Sequence, residues 1–199
     1  MPHGKTVHVV VFDGFADWEP AYALAELRRS GGRSVQTVGF TRAPVQSMGG
    51  LRVMPDVELA AVRPRNVELL LLPGGDMWES DAYPRAQLES LIGELLASST
   101  PIAAICAGTL ALGRAGALND RRHTSNMRAY LPAHATEYSG ASRYIEAPAV
   151  RDGHVITASG LAAVDFAREI LTELDVFDEG ENAVWFDMFK HGVIPDSEE

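Results

Sequence analysis

Pro101-Ile102-Ala103-Ala104-Ile105-Cys106-Ala107-Gly108-Thr109-Leu110-Ala111-Leu112 joins a short apolar run to a stretch of small, helix-compatible residues through a single cysteine. A brief apolar segment of this kind reads as a strand buried on both faces, and the alanine and leucine that follow read as a helix. A strand passing straight into a helix must turn sharply, which thrusts the turn residue's side chain out at the carboxyl edge of the sheet. Ala104 and Gly108 keep both flanks small, as backbone crowding around such an elbow requires. Cys106 is the chain's one cysteine. A helix beginning at Ala107 points unpaired N–H groups and the positive end of its dipole at the sulfur, which predicts a thiolate reactive at neutral pH. The competing reading of a lone cysteine after isoleucine is a small buried hydrophobe.

Outward from this elbow the same alternation repeats. Residues 67–72 form an apolar strand that stops at Pro73-Gly74-Gly75-Asp76, and Leu88, Leu91, Ile92, Leu95 and Leu96 then follow the spacing of a one-sided helix. The β-branched run 7–12 ends at Asp13-Gly14, and Leu24 and Leu27 mark a helix with Asp17 as N-cap, Pro20 in its first turn and Gly31-Gly32 as its stop. Residues 35–40 read as a second strand, and 45–59 as a small antiparallel excursion. Downstream, Asp152-Gly153 between two apolar runs is a hairpin signal. Leu161, Val164, Ala167, Ile170, Leu171 and Leu174 mark another helix. Val184, Trp185, Met188 and Phe189 mark the last, with Glu181 near its start, Lys190 and His191 near its end and Gly192 as stop. This order predicts an α/β fold: a doubly wound, mainly parallel sheet with helices on both faces and a small β-hairpin excursion. One domain over 1–194 with an acidic tail at 195–199 is expected.

The 199 residues are 46% apolar and 22% charged, ordinary for a globular chain, with a formal net charge of −10. That charge argues against nucleic acid and anionic membranes as partners, since both recruit clustered Lys and Arg. A single cysteine makes no internal disulfide, and the first apolar stretch is too short for a membrane span, so a cytoplasmic protein is expected.

Other residues gather at the same sheet edge. Glu19, in the first turn after the first strand, is placed to meet Cys106; beside a thiolate it should be pushed toward its protonated form and titrate with the sulfur as a pair. Its alternative role is to complement the helix dipole. The N–H groups of Gly75 and Ala107 are candidates for an oxyanion hole. Asp76 and Trp78, with Tyr83, are candidates for the substrate wall, although an aromatic near a loop is more often simple packing. Of the histidines, His123 is the candidate acid or base, against a structural role. None shows metal-ligand spacing, and no nucleotide-binding glycine signature is present, so neither a metal nor a cofactor is expected.

Glu19 after the first strand, Leu71-Leu72-Pro73-Gly74-Gly75-Asp76, Ala104-Ile105-Cys106-Ala107-Gly108 and Ile156-Thr157-Ala158-Ser159-Gly160, in that order, resemble the DJ-1/PfpI superfamily over nearly the whole chain. The resemblance implies a flavodoxin-like sandwich, commonly a homodimer, with an elbow cysteine touched by a glutamate, positions that Cys106 and Glu19 match. It spans intracellular peptidases, glyoxalase- or deglycase-like enzymes, isonitrile hydratases, chaperones and oxidation sensors. The peptidases carry histidine directly after the cysteine, where this chain has Ala107. Glutamine amidotransferases use a late His-x-Glu that is missing here. Where DJ-1-like members place a histidine, this chain has Thr124-Ser125-Asn126, and Asn126 can orient a substrate but cannot take a proton. The expected function is therefore addition of Cys106 to a small carbonyl-type electrophile with Glu19 as proton shuttle. An oxidative-stress sensor, a chaperone and a peptidase or amidase are the alternatives. The apolar arc of Trp185, Phe186 and Phe189 points to a homodimer or to burial within the monomer.

Overall fold

The computed structural model describes residues 4–195. Within them nine strands run in chain order as β1 (Thr6–Val10), β2 (Val35–Gly39), β3 (Val45–Gln46), β4 (Arg52–Val53), β5 (Val57–Glu58), β6 (Val67–Leu72), β7 (Ile102–Ile105), β8 (Ala149–Asp152) and β9 (Val155–Ala158). They alternate with helices α1 (Trp18–Arg29), α2 (Arg85–Ala97), α3 (Thr109–Arg114), α4 (Tyr130–His134), α5 (Ala163–Glu173) and α6 (Glu179–His191). The expected acidic tail lies, apart from Pro195, outside the described residues.

Seven strands form one sheet in the order β5-β2-β1-β6-β7-β9-β8, parallel throughout except where β8 returns antiparallel to β9. The fold is the expected α/β flavodoxin-like type. Alternation along the strands divides the core into two layers. Val9, Leu69, Leu71, Ala103 and Ile156 meet Leu27, Phe166, Ile170 and Trp185 of α1, α5 and α6. Val10, Leu70, Leu72 and Ala104 meet Leu88, Ile92 and Leu110 of α2 and α3 on the other face. Each such leucine or phenylalanine, fully buried, contributes about 1.5–3 kcal/mol. The β8–β9 turn needs its glycine, because Gly153 sits at φ +58°. Helix α6 opens with a capping box, in which Asp178 accepts the Glu181 N–H at 2.8 Å and Glu181 accepts the Asp178 N–H at 3.0 Å, and closes on left-handed Gly192.

Three local expectations are corrected. Asp17 precedes α1 but caps nothing: its Oδ2 accepts the Ser47 hydroxyl at 2.5 Å, a long-range contact that takes the carboxylate from the helix end. The 45–59 excursion is only partly antiparallel. β3 and β4 pair with each other, whereas β5 joins the main sheet parallel to β2. Leu161 is 97% exposed and lies before α5, which starts at Ala163.

Candidate active site

Of the six parallel strands, β1, β6, β7 and β9 end at one edge and bring their four following loops together there. β7 is buried along its length and delivers Cys106 at φ +57°, a left-handed conformation that costs a non-glycine residue about 1–3 kcal/mol and persists only where the surroundings enforce it. The enforcement is visible. Gly108 is pressed so closely on the end of β6 that a Cβ there would stand 2.3 Å from the Leu72 carbonyl oxygen. Thr109 Oγ1 donates to the Cys106 carbonyl at 2.6 Å and meets Ser125 Oγ at 2.7 Å. The sulfur lies between two glycines: a Cβ on Gly74 would come within 3.0 Å of it, and one on Gly160 within 2.8 Å.

Glu19 reaches the same sulfur. It is 1% exposed, its Oε2 accepts the Gly74 N–H at 2.5 Å, and its carboxyl hydrogen-bonds the Cys106 thiol. Burial pushes Glu19 up to about 6, against the opposing pull of the Gly74 N–H and of Cys106. The thiol moves further. Burial, and then the Glu19 charge, push Cys106 up to about 11, while the Asn126 amide and the Ala107 N–H pull it down. Both leading effects favour the thiol and so oppose the expected resting thiolate. The helix after the elbow is only the six-residue α3, entered through a 3-10 turn at Cys106–Gly108, and its dipole is outweighed by desolvation and by a neighbouring carboxylate. The two groups share a hydrogen bond and both are held toward their protonated forms, so they titrate as a pair with the proton placed to cross between them.

Asn126 is on the sulfur itself. Its Oδ1 accepts the Gly160 N–H at 3.0 Å, which fixes the amide's orientation and leaves Nδ2 to donate to Sγ at 3.3 Å. Ser125, buried and bonded to Thr109, pins the segment in place.

Gly75 takes φ +150° and ψ 150°, and a Cβ there would collide with the Phe12 ring at 2.6 Å, so this stretch of backbone requires glycine. Asp76 follows it, exposed, in the 3-10 turn Asp76–Glu79. Trp78 does not wall an open pocket. It is 0% exposed, donates from Nε1 to the Pro73 carbonyl at 2.7 Å and packs edge-on to Phe12 and Tyr83. His123 is likewise interior: Nδ1 meets the Arg121 carbonyl and Nε2 the Tyr138 hydroxyl, each at 2.7 Å, and burial lowers its pKa. The ring has no face left for a substrate.

Two residues at the rim carry no signal in the sequence. Tyr130, at the start of α4, donates its hydroxyl to Glu79 at 2.8 Å. Its phenol is pushed up by burial first, then by Glu79, with smaller contributions from the charges of Cys106 and Asp76. Beside Asn126 an open depression of about 410 Å³ runs past Ser159 to the exposed Leu161. Among the described residues no cluster of three or more His, Cys, Asp or Glu is arranged to hold a metal ion, and no helix is long and apolar enough to cross a membrane.

The model of the DJ-1/PfpI family matches residues 5–173. The uncharacterized protease YoaZ of Bacillus subtilis is 36% identical over 94% of this chain and 91% of its own length. The deglycase TK1284 of Thermococcus kodakarensis is 28% identical over 76% of this chain and 88% of its own. Among solved structures, the DJ-1 superfamily protein Atu0886 of Agrobacterium tumefaciens superposes with a TM-score of 0.87 at 36% identity, covering 94% of this chain and 98% of that one.

Proposed function

The chain belongs to the DJ-1/PfpI family, and from that premise we propose that it is a cysteine-dependent enzyme acting on a small carbonyl electrophile in the manner of glyoxalases and deglycases. The observation that carries this reading is the buried Glu19 carboxyl in hydrogen-bonding contact with the Cys106 sulfur. As Sγ approaches the carbonyl carbon, Glu19 takes the thiol proton and the C–S bond forms. The π pair moves to oxygen, where the Gly75 and Ala107 N–H groups stabilise the developing charge. Glu19 then returns the proton to that oxygen, giving a hemithioacetal. The Asn126 amide supports the charge on sulfur before bond formation. Asp76 and Glu79 make the rim negative, which favours an uncharged or cationic electrophile over a carboxylate-bearing one.

Two rivals fit less well. A peptidase needs a base that can also protonate an amine leaving group, and Ala107 occupies the position where that histidine would stand. A redox sensor needs a thiolate to meet peroxide, whereas burial and the Glu19 charge both hold this sulfur toward the thiol. A homodimer is also proposed, now on the outer part of α6: Trp185 is buried within the protomer, while Val184, Met188 and Phe189 remain 41–47% exposed.

Turnover of a panel of small aldehydes, dicarbonyls, amides and peptides by the wild type and Cys106→Ser tests the reading. Carbonyl turnover abolished by the substitution is expected; carbonyl turnover that survives it, or activity confined to peptides, rejects the proposal.

A further inference from the structure

The opposite, amino-terminal edge of the sheet holds a cavity of about 750 Å³ that shares no residue with the Cys106 site. Its origin is readable strand by strand. On one sheet face the core row Val10, Val38, Leu70 and Leu72 is apolar, but further back the same face carries Thr6 and His8 of β1, Gln36 of β2 and Glu68 of β6. His8 and Gln36 stand opposite each other in register. No α-helix covers this row, because the chain between β2 and β6 is spent on short strands and two 3-10 turns, Leu59–Ala61 and Pro64–Asn66. A polar row on the inner face of a sheet is costly to desolvate unless something satisfies it.

Its hydrogen bonds are incomplete. His8 is 4% exposed and uses only Nδ1, on the Thr6 carbonyl, while Nε2 has no partner among the described residues. Arg33 pairs with Glu68 at 2.9 Å through Nη1 and donates to the Leu174 carbonyl through Nη2, but its buried Nε has no acceptor among the described residues. Lys5 and Arg63 complete the basic lining, and neither forms an ion pair among the described residues. Three cations against one carboxylate, in a chain of net charge −10, is a local inversion of sign.

We infer that this cavity is a second binding site, for a small organic dianion. Its volume falls in the range of small-molecule sites. Lys5, Arg33 and Arg63 supply charge for a phosphate or paired carboxylates, and the guanidinium forks suit either group geometrically. His8, held neutral by burial, and Gln36 offer hydrogen bonds to an uncharged hydroxyl-bearing part of the ligand. Glu68 is a competitor for Arg33 that an anion must displace or share.

Calorimetric titration at fixed ionic strength with glycerol 3-phosphate, malate and lactate tests this. Saturable binding of at least one of the two dianions, at least tenfold tighter than lactate, is expected; glycerol 3-phosphate and malate distinguish phosphate from dicarboxylate. The affinity should be unchanged in Cys106→Ser, weakened at least tenfold in the double variant Lys5→Gln/Arg63→Gln, whose side chains are exposed, and tightened about threefold in Glu68→Gln. A gain in that last variant cannot come from misfolding. Absence of saturable binding by both dianions, equal affinity in the double variant, or loss of binding in Cys106→Ser or Glu68→Gln overturns the inference.

Discussion

Asn126 donates to the Cys106 sulfur at 3.3 Å and is held in that orientation by the Gly160 N–H on its other amide atom. A side chain that sequence alone suggests for substrate orientation thus acts first on the nucleophile. Asn126→Leu removes the donor at similar volume. The thiol pKa should rise, and carbonyl turnover near neutral pH should fall about 10-fold or more, the value of a hydrogen bond to a charged group. Alkylation rates against pH read the first effect and steady-state kinetics the second.

Glu19 raises the thiol pKa through its charge and its hydrogen bond. Glu19→Gln keeps the shape and an acceptor for the Gly74 N–H while removing the charge. The Cys106 thiol should therefore titrate at lower pH than in the wild type, and at pH 7 to 8 alkylate faster. Carbonyl turnover should nevertheless drop about 10²-fold or more, because the proton carrier is gone. Opposite movements of reactivity and turnover separate a proton shuttle from a mere helix-dipole partner.

The same group sets a pH dependence of stability. Glu19 in the folded chain is raised to about 6 from 4.5, so the native state binds more protons than the unfolded state between these values. Its contribution is therefore present below pH 4.5 and lost as pH rises toward 6. Relative to wild type, Glu19→Gln should gain about 2 kcal/mol across that window and then level off. His8 and His123 act in the other direction, since burial lowers both, and their contribution is lost as pH falls below 6.5. Thermal midpoints of the two proteins from pH 4 to 8 display the difference.

The glycines that confine the sulfur offer a steric test. Gly74→Ala and Gly160→Ala would place a methyl group 2.7 Å from Cys106 Cβ and 2.8 Å from Sγ respectively, and should each cost about 1–3 kcal/mol and abolish turnover. Gly93, exposed in α2 with nothing within 4 Å of where an alanine methyl would stand, is the contrast. Gly93→Ala should stabilise by about 0.5–1 kcal/mol, raising the melting midpoint by about 1–4 °C with activity unchanged.

Periodicity made the layers legible. The spacing of Leu88, Leu91, Ile92 and Leu95 and the apolar run 67–72 depend on local chain geometry, so helix α2 and strand β6 follow from them directly. Glu19 and Cys106 could be placed at one edge because parallel strands in a doubly wound sheet all end there. Interactions between distant segments were not legible. Asp17 obeys a local capping rule until Ser47, thirty residues on, takes its carboxylate. Tyr130 and Glu79 are joined by loops whose paths no periodicity encodes, and the basic cavity emerges only when three strands align their polar positions. The thiol's titration failed for a related reason: the dipole argument sees the helix but neither the depth of burial nor the carboxylate beside the sulfur.

The central claim is that Cys106 and Glu19 act as one unit that delivers a thiolate only as the carbonyl is attacked. The pH dependence of kcat/KM for a small dicarbonyl in wild type and Glu19→Gln tests it most directly. Wild-type activity should rise through an apparent pKa near 6, as Glu19 ionises, and the residual activity of the variant should lack that limb and climb only as the thiol itself ionises. A limb near 6 that persists unchanged in the variant would contradict the account.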